Sequence, residues 1–297
     1  MSNKISIFCL SHNNLKRRER LKRVFSERGL EARFYDGVGP DDPRISGRPL
    51  RPNVQRAWSI MYGHLDMLQL FLEAGTPFGI FCEDDILIRR DFGVHLPQIL
   101  EHFKELKLDV MLLGNLCSNP NFRFCSNFPE MVTSSLSMLS APSEPFQSAH
   151  SEPFQSAPKE PSQSAPKEPS QSAPKEPSQS APSEPSQSAH SEHYPFKYYA
   201  YDSNPESAVW GTQMYMLHRD QAQFLVQKYA NGYSDATLSD KSLVHFSADW
   251  TITKEGTKAI IYPLVAIESY ETEYADAGQD ACRKACHKLF YSEKVFE

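Results

Sequence analysis

Pro77-Phe78-Gly79-Ile80-Phe81-Cys82-Glu83-Asp84-Asp85 is a short apolar run that stops in three carboxylates. An uncharged stretch ended by three acids and followed by Ile86-Leu87-Ile88 predicts a buried strand that delivers carboxylates to its C-terminal edge. Open α/β sheets bind their ligands at that edge. Adjacent carboxylates repel, and each ionises less readily unless a cation sits among them. A divalent ion held by oxygen ligands is the simplest remedy. The triplet could instead be a solvated acidic turn, but its place at the end of an apolar strand favours a site.

Outward from this run, strands alternate with helices. Residues 4–10 are β-rich and alternating, residues 15–28 carry Leu15, Leu21, Val24 and Phe25 on one helical face with Gly29 as the stop, and residues 31–38 read as a second strand. A proline-rich loop, 40–52, precedes a helix over about 54–73 whose Trp58, Met61, Leu65, Leu68 and Leu72 recur at helical spacing. Asp91 can cap a helix running to about residue 106, and residues 109–114 form a further strand. Later come a strand over 208–217, a helix over 221–229 and a strand over 259–263 stopped by Pro263. The pattern predicts an α/β fold with a mostly parallel, doubly wound sheet. A polar helix is expected over 280–290, with Cys282 and Cys286 four apart and followed by His287. Such spacing can hold one side of a zinc site, but no second ligand pair is evident, so solvent-facing thiols are expected.

A repeat interrupts this pattern. From Ala141 six complete octads of the Ala-Pro-Lys-Glu-Pro-Ser-Gln-Ser kind follow one another, and a truncated copy fades out at Glu192. Octads almost without aliphatic side chains cannot bury enough surface to offset chain entropy, so 141–192 is expected to be an extended, polyproline-like, disordered insertion. It would interrupt one domain built from 1–140 and 193–297.

Composition narrows the classes. The chain has 297 residues with 31 bases against 37 acids, a net charge of −6, which argues against a nucleic-acid partner. Six cysteines stand at positions 9, 82, 117, 125, 282 and 286, and a reducing compartment fits them best. The first ten residues hold too short an apolar stretch for a signal peptide, and no run is long enough to span a bilayer. A cytoplasmic location is therefore expected.

Four features taken in order resemble glycosyltransferase family 25, which includes bacterial lipooligosaccharide galactosyltransferases and collagen galactosyltransferases. They are the basic first helix Leu15-Lys16-Arg17-Arg18-Glu19-Arg20-Leu21, the helix segment Ser59-Ile60-Met61-Tyr62-Gly63-His64, the strand ending in Glu83-Asp84-Asp85, and the Gly211-Thr212-x-x-Tyr215 strand. Outside the octads the likeness spans nearly the whole chain, although the helix segment carries Gly-His where the family has Ser-His. The proline-rich repeats also resemble those inside enzymes of large algal viruses such as chloroviruses, which would make the location a host cytoplasm. The resemblance implies a GT-A fold and a transferase that moves a sugar, such as galactose, glucose or xylose, from a UDP-linked donor to a glycan or glycoprotein acceptor, with Mn²⁺ or Mg²⁺ as cofactor.

Several residues can be weighed against that chemistry. Glu83 and Asp85 form an acid-x-acid pair whose side chains lean to the same side of a strand. By resemblance Asp85 is a metal ligand, and Glu83 is a contact to the nucleotide ribose or a support for the metal. Asp84 would point away, toward the sugar, or cap the following loop. Asp249, in the apolar setting of Phe246, Ala248 and Trp250, matches the family's late aspartate and is the candidate base or acceptor-positioning group, unless it caps a turn. His245 could be a further metal ligand or a structural histidine. His64 reads as a hydrogen-bonded core residue ahead of a catalyst. Arg17 and Arg20, three apart, could meet a diphosphate or form a solvated helix face. Trp250 could stack on a sugar or uracil ring, whereas Trp58 falls on a core stripe. Two other classes stay open on the residues alone: a non-catalytic carbohydrate-binding scaffold, and a metal-dependent phosphoryl-transfer or hydrolase domain.

Overall fold

The computed structural model describes residues 5–117, 129–132, 195–201, 209–269 and 277–297. The octads at 141–192 lie outside the described residues. Residues 1–139 and 195–297 cluster as one compact unit. Its elements are β1 (Ile5–Leu10), α1 (Leu15–Glu27), β2 (Ala32–Tyr35), α2 (Pro52–Ala74), β3 (Phe78–Glu83), β4 (Ile86–Ile88), α3 (Phe92–Glu105), β5 (Val110–Cys117), β6 (Glu130–Met131), β7 (Lys197–Ala200), β8 (Val209–His218), α4 (Arg219–Tyr229), α5 (Tyr233–Ser239), α6 (Ala248–Thr251), β9 (Lys258–Tyr262), β10 (Ala266–Glu268) and α7 (Ala277–Phe290).

The strands form one sheet in the order β2-β1-β3-β8-β5-β9-β7-β6, and β10 joins β4 to β5 beside it. The pairs β2-β1, β1-β3 and β5-β9 are parallel, while β8 runs antiparallel between β3 and β5. The α/β architecture thus agrees with the alternation in the sequence, and the sheet is mixed. Alternation predicts the strand β8 but not its direction, because a strand that returns from the opposite end carries the same apolar pattern.

The acidic strand is central and sealed on both faces. Ile80, Phe81 and Cys82 are fully buried, as expected for a strand covered on both sides. Phe81 stacks between Phe8, at 5.6 Å, and Tyr215, at 5.3 Å, with Phe71 edge-on at 5.5 Å. Phe71 comes from α2, whose apolar stripe Trp58, Met61, Leu65 and Leu68 is buried. Gly75 ends that helix in the left-handed region at φ 70°, which lets the chain turn straight into β3. On α1 the buried face is Leu21, Val24 and Phe25; Leu15, expected on that face, is exposed.

Two local expectations are corrected. Asp91 sits at the N-cap of α3 without capping it, because Arg89 engages both its oxygens at 2.9 and 2.6 Å. Cys282 and Cys286 are buried on α7 against Leu116 and Trp210, so they are small core residues and not solvent-facing thiols. Among the described residues no helix is long and apolar enough to cross a membrane.

The loop between β2 and α2 is pinned from outside. Arg44 holds Asp42 and reaches Asp66 of α2 at 2.7 and 2.9 Å while lying 4.5 Å over the Tyr62 ring. Arg48 pairs with Asp235 and lies over Trp58. The loop is thereby held as a fixed wall.

Removing the ring of Phe81 leaves a void that three other rings share. Phe81→Ala is expected to cost about 3–5 kcal/mol, measured by urea unfolding; a loss under ~1 kcal/mol would show that the stack does not carry the sheet.

Candidate active site

Glu83 is the last residue of β3 and pairs in register with Leu10, the last of β1, so both strands end together. Asp84 and Asp85 form the turn to β4. Three ties on main-chain carbonyls fix this turn. Arg20 donates to the oxygens of Asp84 at 3.2 Å and Ile86 at 2.8 Å, and the amide of Ser269, just past β10, donates to the oxygen of Asp85 at 2.6 Å. Arg20 therefore clamps the acidic turn from behind and does not line the cavity described below, contrary to its expected place on a diphosphate.

The side chains part in two directions. The carboxylate of Asp84 accepts the Ser11 hydroxyl at 2.7 Å and faces Arg17 at 3.4 Å, and Arg17 also lies 3.8 Å from Asp85. Glu83 faces α2 instead, where His64 Nε2 stands 3.5 Å from its carboxylate. The other ring nitrogen of His64 hydrogen-bonds the Tyr215 hydroxyl at 3.0 Å. His64 is fully buried, as the core alternative had it, and burial drives its pKa down to about 4, so the ring is neutral.

A second acid group closes in from the later chain. On α6, Asp249 directs Oδ1 to the amides of Gly211 and Thr212 at 3.0 and 3.1 Å and to the Thr212 hydroxyl at 2.9 Å. A Cβ on Gly211 would sit 2.5 Å from a methyl of the buried Leu112 side chain, so a larger residue there would force that side chain to move. The nearby Thr212 hydroxyl tempers the pKa of Glu83 without reversing its rise. Burial, then Asp85 and Asp249, push Glu83 up to about 8, which keeps it protonated at neutral pH.

Glu268, at the end of β10, was not singled out from the sequence. Burial, with Asp85 as the next cause, pushes it up to about 8, against the pull of Arg283 on α7 at 2.9 Å. The signal existed: Leu264-Val265-Ala266-Ile267-Glu268 is another apolar run ended by an acid, the same signature as β3. Nothing in the sequence marks Arg283 as its partner, since a buried arginine on a polar helix looks like any other.

A cavity of about 680 Å³ opens on the triplet. Its floor holds Glu83, Asp84 and Asp85; one wall carries Lys16 and Arg17 from the start of α1, the facing wall Gln55, Arg56 and Ser59 from α2, and the loop supplies Gly37, Val38 and Pro40. Arg17 and the triplet are thus brought together as expected. Trp250 and His245 are not among the lining residues: Trp250 is half-buried on α6, and His245 is exposed in the loop before it. A place for His245 among metal ligands is corrected accordingly, since the chain turns it outward ahead of the buried Phe246. Among the described residues no group of three His, Cys, Asp or Glu side chains stands ready to hold a metal ion by itself.

Compared with known proteins, the chain matches no protein-family model and no curated protein.

Glu83 sets a pH dependence whose sign follows from its raised pKa. The unfolded chain releases this proton above about 4.5 and the folded chain only near 8, so the stability Glu83 contributes falls as pH rises between the two. A neutral Gln carries no such cost. Glu83→Gln is expected to leave Tm unchanged near pH 5 and to raise it by about 2–4 °C at pH 8 in cation-free buffer, equivalent to ~1 kcal/mol; the figure is modest because a quarter of the side chain meets solvent. Equal shifts at both pH values would show that Glu83 ionises normally.

Proposed function

We propose that the protein is a metal-dependent glycosyltransferase on the GT-A plan, resembling family 25, that moves a sugar from a nucleoside diphosphate to a hydroxyl of a glycan acceptor. The observation that carries this reading is a cavity at the carboxyl edge of β1 and β3 whose walls are basic and whose floor is acidic. Basic walls suit a polyanion and an acidic floor suits a cation. A diphosphate bridged to a divalent ion meets both needs at once. The volume also lies within the range usual for small-molecule and cofactor sites.

The residues fit a hard ion such as Mn²⁺ or Mg²⁺, because the triplet offers only oxygen. Magnesium is commonly held by one or two carboxylates and completed by substrate phosphates and water, which suits a site without three ready side-chain ligands. Asp85 would hold it, with Glu83 as a second ligand on giving up its proton to the incoming cation. When bound, such an ion stabilises the charge that grows on the departing diphosphate.

The chain's own groups do the rest. Arg17, with Lys16 and Arg56, neutralises phosphate oxygens, and its contacts to Asp84 and Asp85 aim it at the triplet. The apolar atoms of Val38 and Pro40 give a nucleobase a flat wall on the pinned loop. Arg20 keeps the acidic turn from moving as ligand enters. Asp249, which is not among the cavity's lining residues but is anchored on β8 beside β3, is read as the group that takes the proton of an acceptor hydroxyl.

A panel of nucleotide sugars with Mn²⁺, read by donor hydrolysis, transfer and thermal shift, tests this. Asp85→Ala is expected to lower turnover by about 10²-fold or more. Silence with every donor, together with an Asp85→Ala variant that behaves like its parent, would sink the reading. Phosphate release without sugar transfer would point to a phosphoryl hydrolase, and glycan binding without metal or nucleotide to a scaffold.

A further inference from the structure

Asp249 belongs to α6, a single turn of four residues that cannot by itself hold a side chain still. The sheet holds it. Three donors converge on one carboxylate oxygen: the amides of Gly211 and Thr212 and the Thr212 hydroxyl, all between 2.9 and 3.1 Å. Two of them are main-chain groups of β8, the strand that lies directly beside β3. Among the described residues Oδ2 of Asp249 takes no hydrogen bond, so one oxygen is anchored and the other is left for an incoming group. The Thr212 hydroxyl differs from the two amides in one respect: it belongs to a side chain and can be removed without altering the main chain. Thr212 is buried, with 2 % of its surface exposed, so its side chain has no solvent to turn toward.

We propose that Thr212 is the positioning residue of the acceptor base: its hydroxyl fixes the rotation of the Asp249 carboxylate, so that Oδ2 faces the acceptor hydroxyl. This rests on the transferase reading. In the step it serves, the acceptor O–H bond breaks and its proton passes to Asp249 Oδ2. The oxygen forms a bond to the anomeric carbon while the bond from that carbon to the diphosphate breaks, its electron pair leaving with the diphosphate. A carboxylate held only by amides could rotate about its last bond. One held by amides and a buried hydroxyl cannot do so without leaving the Thr212 oxygen unsatisfied.

The role separates Thr212 from residues that merely hold the fold. Thr212→Val keeps the branched shape and both amides and removes only the hydroxyl; Thr212→Ala removes the hydroxyl together with the methyl and serves should the valine variant not fold; Thr212→Ser restores the hydroxyl. With the full chain, Mn²⁺ and a donor found active in the panel, the valine variant is expected to lose about 10-fold or more in kcat for transfer, in line with general-base contributions of 10²–10⁴ that depend on geometry. Donor KM is expected to stay within about twofold, and serine to restore kcat to within about threefold. An unchanged kcat in the valine and alanine variants, a loss seen in donor KM instead, or a serine variant as poor as the valine one would overturn the inference while leaving the transferase reading intact. A parent protein inactive with every donor would overturn both.

Discussion

Five carboxylates within reach of one another's fields, at the closed end of a buried strand, cannot all ionise. That restraint shapes everything near the site. Glu83 and Glu268 answer it by holding protons to about pH 8; Asp84 is raised too, chiefly by burial, but the Ser11 hydroxyl and Arg17 pull it back. The arginines divide the remaining work by position. Arg17 faces the carboxylates, Arg283 meets Glu268 inside the protein, and Arg20 spends its guanidinium on main-chain carbonyls. The buried Arg283–Glu268 contact adds little net stability, because the guanidinium leaves water to meet a carboxyl that still holds its proton, yet losing Glu268 strands the arginine. Its value lies in fixing where Glu268 stands, not in making the protein firmer.

Such a cluster persists only if its scaffold does not yield. β3 is flanked on both edges, by parallel β1 and antiparallel β8, and its rings are locked into one stack with Phe8, Phe71 and Tyr215. The stack is in contact with the site, because Tyr215 is also the partner of His64, and His64 stands against Glu83. The packed core and the charged edge are one continuous structure here. The neutral form of His64 follows from the same burial that protonates Glu83, so His64 adds no charge to the cluster.

The sequence made the first half of this legible and the second half only in pieces. The apolar run into Glu83-Asp84-Asp85 and the stripe on α2 are local periodicities, and local periodicity survives into structure. What failed to show depends on contacts made far along the chain. Arg20 looked like Arg17 because both lie on one face of α1, but helix rotation aims one at the cavity and the other at the carbonyls behind it. Cys282 and Cys286 looked solvent-facing on a polar helix, yet Leu116 and Trp210 bury them. Glu268 carried the right local signature and lacked only the pairing of β10 with β4, which brings it beside the turn. Thr212 could be noticed for its neighbour Gly211 but not for Asp249, 37 positions away.

The sheet order also bears on where long additions to this chain can be accepted. The described chain leaves β6 at residue 132 and returns at 195 to β7, and these two strands pair antiparallel through Glu130–Tyr199 and Met131–Tyr198. The departure and return points are therefore already side by side at the far edge of the sheet, with β9, β5 and β8 between them and the acidic strand. Closing a loop between points that are already paired costs free energy that grows only with the logarithm of its length, about 0.6 kcal/mol for each doubling. An insertion there changes neither the register of β1 with β3 nor the contacts of Asp249 with β8, which are the two relations on which the site depends. The same insertion between β3 and β4 would fall on the turn that Arg20 and Ser269 hold, and the carboxylates would lose the frame that keeps them apart.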